Sequence, residues 1–362
     1  MAERQGIYIS QLPESASLTD NMLFATDNGA DNNSVSAANL AEYVNKKIDV
    51  PSQVNNGVSK AVNESKKWTV ENFSRQNLLD NWYFADPVNQ RGETTIQSTG
   101  SYKYFIDRWK TYANTAANKF ELTSDGICLT EGAVTSCRLK QTLETWIVRE
   151  LAGKTVTFSI FVAEITGSLN MYVGTNEMSW IWLKTINTAG VHSADFTVPD
   201  TYTGMDIMLQ TSASGTDVCT IYAAKLEIGA QQTLAHQENG VWVLNDPPPN
   251  KQQELAKCQR YYWRSWSGER NTGNSIFGQV FANNKGRVTG FQFPVAMRAE
   301  PTITVYGRNG VGKITEWNND EDYGDVWPVY WDERRCVALA YSGGQLDMGA
   351  YVYYFVEVNA EL

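Results

Sequence analysis

From Lys154 to Val162 the chain reads Lys-Thr-Val-Thr-Phe-Ser-Ile-Phe-Val, and Val156, Phe158, Ile160 and Val162 fall at every second position. A period of two is the spacing of one face of a β-strand. Ala194–Val198, Met205–Gln210 and Asp217–Tyr222, which runs on into Ala223–Gly229, repeat strand-like patterning. Turn-forming residues interrupt the chain about every 8–12 residues, the signature of a β-sandwich or barrel. No strand–helix–strand spacing occurs between Asn77 and Gly229, so a parallel α/β sheet is not expected there. The fold expected is mainly β.

At 362 residues the chain exceeds one ordinary core and predicts about two to three domains. Residues 1–50 read as a small unit: a strand over Ile7–Leu12 ending at Pro13, another over Leu18–Asp27, a turn at Asp27-Asn28-Gly29, and a helix over Ser36–Val44 with Ser36 as its N-cap. So short a unit buries little core and leans on a partner or on copies of itself. Residues 51–76 are polar and predict a helix. Val54, Val58, Ala61, Ser65, Trp68 and Asn72 fall at heptad spacing, which fits either a lone amphipathic helix or a coiled coil. After Gly229, the run Pro247-Pro248-Pro249 makes residues 236–250 an extended connector. Residues 251–362 again read as β, with strands over Ser275–Ala282, Arg287–Val295, Thr302–Tyr306, Cys336–Tyr341 and Tyr351–Val358. The last carries Tyr351, Tyr353 and Phe355 on one face and Val352, Tyr354 and Val356 on the other. Such a strand is either central in its sheet or meets another subunit, and the second is preferred here because about 110 residues offer limited core to both faces.

Composition excludes several classes of function. A net charge of -10 argues against a nucleic-acid scaffold, since binding a polyphosphate backbone needs a basic face. Charged residues make up 19%, while 12 Trp and 18 Tyr fit a binding or oligomeric surface. Cys128, Cys137, Cys219, Cys258 and Cys336 are odd in number and widely spaced, with no CxxC, so buried free thiols are expected rather than a zinc site or a disulfide framework. The start, Met1-Ala2-Glu3-Arg4-Gln5-Gly6, lacks the basic and apolar runs of a secretory signal, and no segment is apolar over the ~20 residues of a membrane span. His192 and His236 are the only histidines, both beside turns, and no HExxH, GxSxG, phosphate-binding or dinucleotide-binding glycine motif occurs. A non-enzymatic protein without a cofactor is expected.

The densest aromatic words lie at Asn77–Gly92 (Asn-Leu-Leu-Asp-Asn-Trp-Tyr-Phe-Ala-Asp-Pro-Val-Asn-Gln-Arg-Gly) and at Tyr104–Lys110 (Tyr-Phe-Ile-Asp-Arg-Trp-Lys). With Ala224-Lys225-Leu226-Glu227-Ile228-Gly229 they resemble the carbohydrate-binding-like jelly-roll module of bacteriophage and prophage tail fibres. Leu12-Pro13, Ser15, Leu18 and Asp20 are similar to the N-terminal attachment segments of such fibres, and Glu254–Tyr262 resembles the opening of their terminal domain. The resemblance implies two jelly-roll-like β-sandwich domains, at 77–235 and 251–362, after a virion-attachment unit and a helical stalk. It implies a homotrimeric receptor-binding protein that attaches the virion to a host cell-surface carbohydrate. Such a protein would be assembled in the bacterial cytoplasm and meet the tail or baseplate through its N-terminal unit.

For the binding residues, Trp82, Tyr83 and Trp109 are read as core, while Asp107 and Arg108 are either an ion pair or a sugar contact. The candidate glycan contacts are Trp317, Asp320, Asp322, Tyr323, Trp327, Tyr330 and Trp331, read as one aromatic and acidic loop. In such loops acids bond hydroxyls and indole faces stack on pyranose rings. A plain solvated loop is the alternative. An EF-hand is discounted because Tyr323 and Val329 stand where its glycine and glutamate belong. Trp180 and Trp182 share a strand face, and one of them is expected as an exposed platform. Two alternatives to an adhesin stay open: a tailspike-like depolymerase using a carboxylate pair, and a purely structural virion fibre.

Overall fold

The computed structural model describes residues 23–27, 32–36, 50–72, 74–97, 100–175, 179–282, 286–342 and 346–361. The chain divides into two compact units, Met1–Thr69 and Val70–Leu362. In the first, β1 (Leu23–Asp27) pairs antiparallel with β2 (Asn32–Ser36), Leu23 opposite Ser36 and Asp27 opposite Asn32. Ser36 thus closes a strand. The strand expected over Ile7–Leu12 and the helix expected beyond Ser36 lie outside the described residues. Helix α1 (Val50–Asn72) starts with Pro51 in its first turn, where a missing N–H costs nothing. Val54, Val58 and Val62 recur every fourth residue along it, and all three are exposed.

The second unit holds two β domains. In the first domain the strands are β3 (Thr95–Ile96), β4 (Lys103–Ile106), β5 (Trp109–Tyr112), β6 (Lys119–Thr123), β7 (Gly126–Thr130) and β8 (Arg138–Leu143). A short helix α2 (Thr145–Leu151) precedes β9 (Thr155–Thr166), β10 (Leu169–Thr175), β11 (Ser179–Ile186), β12 (Gly190–Thr197), β13 (Met205–Thr211) and β14 (Val218–Ile228). They form two six-stranded antiparallel sheets, ordered β11-β10-β13-β8-β5-β4 and β12-β9-β14-β7-β6-β3. Alternation drives the stacking: Val156, Phe158, Ile160 and Val162 of β9 are fully buried, as are Leu139, Ile207 and Leu209 from the facing sheet. This is the expected sandwich. A hairpin of β15 (Ala235–Glu238) and β16 (Val241–Leu244) follows, where the sequence predicted only a connector. Its Trp242 packs on the sandwich core, and the chain becomes extended only after it, toward the three prolines.

Helix α3 (Lys251–Gln259), capped by the Asn250 side chain on Gln252 N–H and Gln253 N–H, opens the second domain. Its strands are β17 (Tyr262–Arg264), β18 (Ile276–Ala282), β19 (Arg287–Gln292), β20 (Thr302–Tyr306), β21 (Ile314–Glu316), β22 (Asp322–Tyr323), β23 (Asp325–Trp331), β24 (Arg335–Ser342) and β25 (Tyr351–Asn359). They join in one nine-stranded antiparallel network around a separate hydrophobic core. The axis is β25. Its first half lies between β18 and β21, and its second half between β17 and β20. Val352, Tyr353, Tyr354, Phe355 and Val356 are completely buried. Of the two readings of this strand, the central one holds: both faces at these five positions are covered within the chain, so the preference for a subunit contact there is corrected.

The two domains meet through the stretch singled out by its aromatics. Trp109 is fully buried, and its indole N–H is shared between the carbonyls of Asp80 and Asn81 at 3.1 and 3.0 Å. Asp107 and Arg108 do not pair with each other. Asp107 takes Arg91 at 2.7 Å and the Gln90 N–H. Arg108, with φ of 71°, turns the other way to Asp80 and Glu361, each at 3.2 Å. It donates to the Thr142 carbonyl and lies over the Tyr261 ring. Glu361 also takes Arg91, which stacks 3.7 Å from the Tyr262 ring centroid. The joint is therefore a buried ionic network in which every charge has at least one partner of opposite sign, the condition under which burying charge is tolerated. Burial outweighs Arg91 and the Gln90 N–H at Asp107, and its carboxyl is pushed up to about 6.

Candidate functional site

β25 places Tyr353 and Phe355 on the face opposite the core, and its neighbours add rings to the same face. Phe277 on β18 stands opposite Tyr353, and Tyr306 on β20 stands opposite Phe355. Trp317, just past β21, is held by its N–H on the Tyr351 carbonyl, and Trp266 follows β17. The result is a continuous row of edge-to-face contacts with centroid distances of 4.9 Å (Phe277–Trp317), 6.1 Å (Trp317–Tyr353), 6.3 Å (Tyr353–Phe355), 6.0 Å (Phe355–Trp266) and 5.3 Å (Trp266–Tyr306). Phe277 and Trp317 are about half exposed, at 52% and 47%, and Tyr351 beside them at 61%. An open aromatic end therefore rests on a buried aromatic base.

Polar groups flank the row. Asp320, at φ of 58°, accepts the Tyr353 hydroxyl at 2.7 Å and pairs with Arg308. The hydroxyl and the guanidinium hold its carboxyl below the usual range. Arg264 and Arg270 lie over the rings of Trp266 and Tyr306.

The expected contact residues divide as follows. Residues 317–331 are not one loop: a turn after β21 leads into β22 and β23. Trp317 and Asp320 belong to the row. Asp322 is spent on its own chain, accepting from Arg308 N–H, Asn309 N–H and the Thr315 hydroxyl. Tyr323 packs against the core while its hydroxyl meets Glu316 and Glu321. Trp327 and Trp331 are carried by β23, at the opposite end of the sheet path from β21. Trp327 is 46% exposed, and the Trp331 indole donates to the Pro301 carbonyl. The Tyr330 side chain lies outside the described residues. Phe277, Tyr306, Trp266, Tyr353 and Phe355 were not expected as a site, because strands distant in sequence bring them together.

In the first domain, Trp182 on the edge strand β11 is 57% exposed and leads a cross-strand row. It faces Tyr172, then Met208, Lys140, Lys110 and Tyr104 through β10, β13, β8, β5 and β4. Trp180 is half-buried over Gly174, where a Cβ would come within 2.6 Å of the indole. Of the two tryptophans, Trp182 is the exposed one. The centre of this face is closed: Lys140 and Asp206 form a buried pair at 3.2 Å beneath Tyr102. A third feature, absent from the sequence reading, is a cleft of about 320 Å³ where α2 and α3 approach, with Trp146, Ile147 and Ile228 as its apolar wall and Glu144, Glu150 and Lys257 among its polar groups.

Both histidines are engaged locally, His192 with the Thr188 carbonyl and His236 with Asn245 and Glu238. Among the described residues no group of three His, Cys, Asp or Glu is arranged to hold a metal ion.

No protein-family model matches the sequence, and no curated protein matches it. Among solved structures, similarity is found to TmCBM61 in complex with β-1,4-galactotriose, with TM-score 0.29 and 14% identity over 42% of this chain and 99% of that one. A family 29 carbohydrate-binding module gives TM-score 0.25 and 14% identity over 37% of this chain and 86% of that one. A structure described as CBM4 gives TM-score 0.25 and 15% identity over 34% of this chain and 88% of that one. Each covers less than half of this chain.

Proposed function

We propose that the protein is a non-catalytic glycan-binding adhesin of the phage tail-fibre type, which attaches a virion to a host cell-surface carbohydrate. The observation that carries the binding function is the half-open aromatic row of the second domain, with the Asp320–Arg308 pair beside it. Sugar rings offer apolar C–H faces to aromatic rings and hydroxyls to carboxylates and guanidinium groups, and the row offers both kinds of partner. Trp182 and Tyr172 form a second, smaller platform on the first domain. The virion role rests on the sequence words at 77–110, 224–229 and 254–262, with residues 1–50 as the attachment unit and the virion as the place of action. A homotrimer fits the exposed Val54, Val58 and Val62 of α1, which three parallel copies would bury. Three weak sites on one particle gain avidity through effective concentration.

Purified full-length protein incubated with host cell-wall polysaccharide tests this reading. Retention on the polysaccharide, weakened in Trp317→Ala and Phe277→Ala, is the expected outcome. Loss of binding in Trp182→Ala alone would move the site to the first domain. Release of oligosaccharide would replace the adhesin by a depolymerase. Point variants suit this test better than deletion of 251–362, because Glu361 neutralises Arg91 and Arg108 in the joint. Solution mass of the wild type against Val58→Asp tests the trimer: a monomer for both would remove it.

A further inference from the structure

Three side-chain nitrogens are buried without a hydrogen-bond partner among the described residues: Nε of Arg138, Nε of Arg264 and Nη1 of Arg270. Two of the three stand at the same end of the aromatic row. The Arg264 guanidinium lies 5.3 Å from the Trp266 ring centroid, and that of Arg270 lies 4.9 Å from the Tyr306 centroid. Those two rings are themselves in edge contact at 5.3 Å. Arg308, by contrast, reaches the row with its charge already matched by Asp320. Among the described residues no carboxylate comes within ion-pair distance of Arg264 or Arg270. Glu357, opposite Arg264 in the strand register, accepts the Tyr306 hydroxyl on one oxygen at 3.3 Å and pairs with neither guanidinium.

A buried guanidinium N–H without an acceptor is costly, and the cost is recovered when an anion supplies one. A guanidinium over an aromatic face keeps its N–H edge free, and the planar fork matches the paired oxygens of a carboxylate or phosphate. We propose that the Trp266–Tyr306 end of the row is a subsite for an anionic unit of the glycan, a carboxylate or a phosphate. Its oxyanion accepts from Arg264 and Arg270 while its C–H surface lies along Trp266. In a chain of net charge -10 such selectivity has to be local, because the protein's overall field repels anions. The inference rests on the glycan-binding reading and supplies its ligand class.

The test titrates the full-length protein with trigalacturonate, with a glycerol-phosphate trimer and with neutral galactotriose, followed by tryptophan fluorescence and calorimetry. One anionic probe is expected to bind at least about tenfold more tightly than galactotriose and to weaken as salt is raised. Which of the two it is tells a carboxylate sugar from a phosphodiester polymer. Arg264→Ala with Arg270→Ala should remove that preference. Arg264→Lys with Arg270→Lys, which keeps charge and bulk but not the fork, should lose most of it while the circular dichroism spectrum stays that of the wild type. Equal affinity for all three probes, or an anion preference that survives both double variants, overturns the inference and leaves the adhesin standing. No binding of either anion at millimolar concentration also overturns it. Retention on whole host polysaccharide would then decide the adhesin reading separately.

Discussion

Asn77–Lys110 and the β25 face are the two most aromatic regions of the molecule, and they use their rings in opposite ways. In the first, Trp82, Phe84, Phe105 and Trp109 are buried, and each ion around them is paired with an opposite charge. In the second, a buried base of Tyr353 and Phe355 supports half-exposed Phe277 and Trp317, and two guanidinium nitrogens have no partner among the described residues. Aromatic density by itself does not mark a binding surface. What separates the regions is whether the polar groups beside the rings are already consumed by the fold.

The largest effect that tests this contrast is on stability. Trp109→Ala removes a fully buried indole and leaves the Asn81 carbonyl without its indole donor, while the Asp80 carbonyl keeps Gln141, so it should cost about 3–5 kcal/mol in urea unfolding. A cost near zero would mean that the joint is not the packed structure described.

The joint should also respond to pH. The folded Asp107 carboxyl stands at about 6, above its ordinary value of 3.8. Its contribution is then fully present below about pH 4 and lost as pH rises through 6. The wild type should therefore lose about 1–3 kcal/mol relative to Asp107→Asn between pH 4 and 7. A pH-independent difference between the two would show Asp107 to be an ordinary ion-paired carboxylate.

On the open face the balance reverses. Trp317→Ala should change unfolding free energy by about 1 kcal/mol or less, while weakening glycan retention about tenfold or more. Comparable losses of stability from Trp109→Ala and Trp317→Ala would erase the distinction between the regions.

The smallest effect is chemical. Burial raises the thiols of Cys137 (to about 12), Cys219, Cys258 and Cys336, whereas Cys128 is only half-buried. Iodoacetamide at pH 8 should modify Cys128 alone in the native protein and all five after denaturation. Rapid labelling of Cys258, which sits in the joint helix α3, would show that the joint opens.

Much of the β architecture was legible from period-two alternation. Val156, Phe158, Ile160 and Val162 mark a strand because side chains of opposite character must separate across a sheet. Asp322–Tyr323 and Asp325–Trp331 were not legible as strands, since acids and a proline interrupt any alternation there. The hairpin Ala235–Leu244 escaped notice beside the three prolines. For the candidate site, Trp317, Asp320 and Trp182 could be named from local composition, while Asp322 looked equally suitable and is committed to its own loop.

The sequence by itself determined where the alternating strands form and which stretches are rich in rings, because alternation and turn chemistry act over a few residues. It could not say which rings stay open. Arg108 turns from its neighbour Asp107 toward Glu361, 253 positions away, and Phe277 meets Trp317 across separate strands. Pairings of that range are set by strand order and register, and only the tertiary structure decides them. Asn77–Lys110 therefore closes the joint, while the Phe277–Trp317 end of the β25 row remains open.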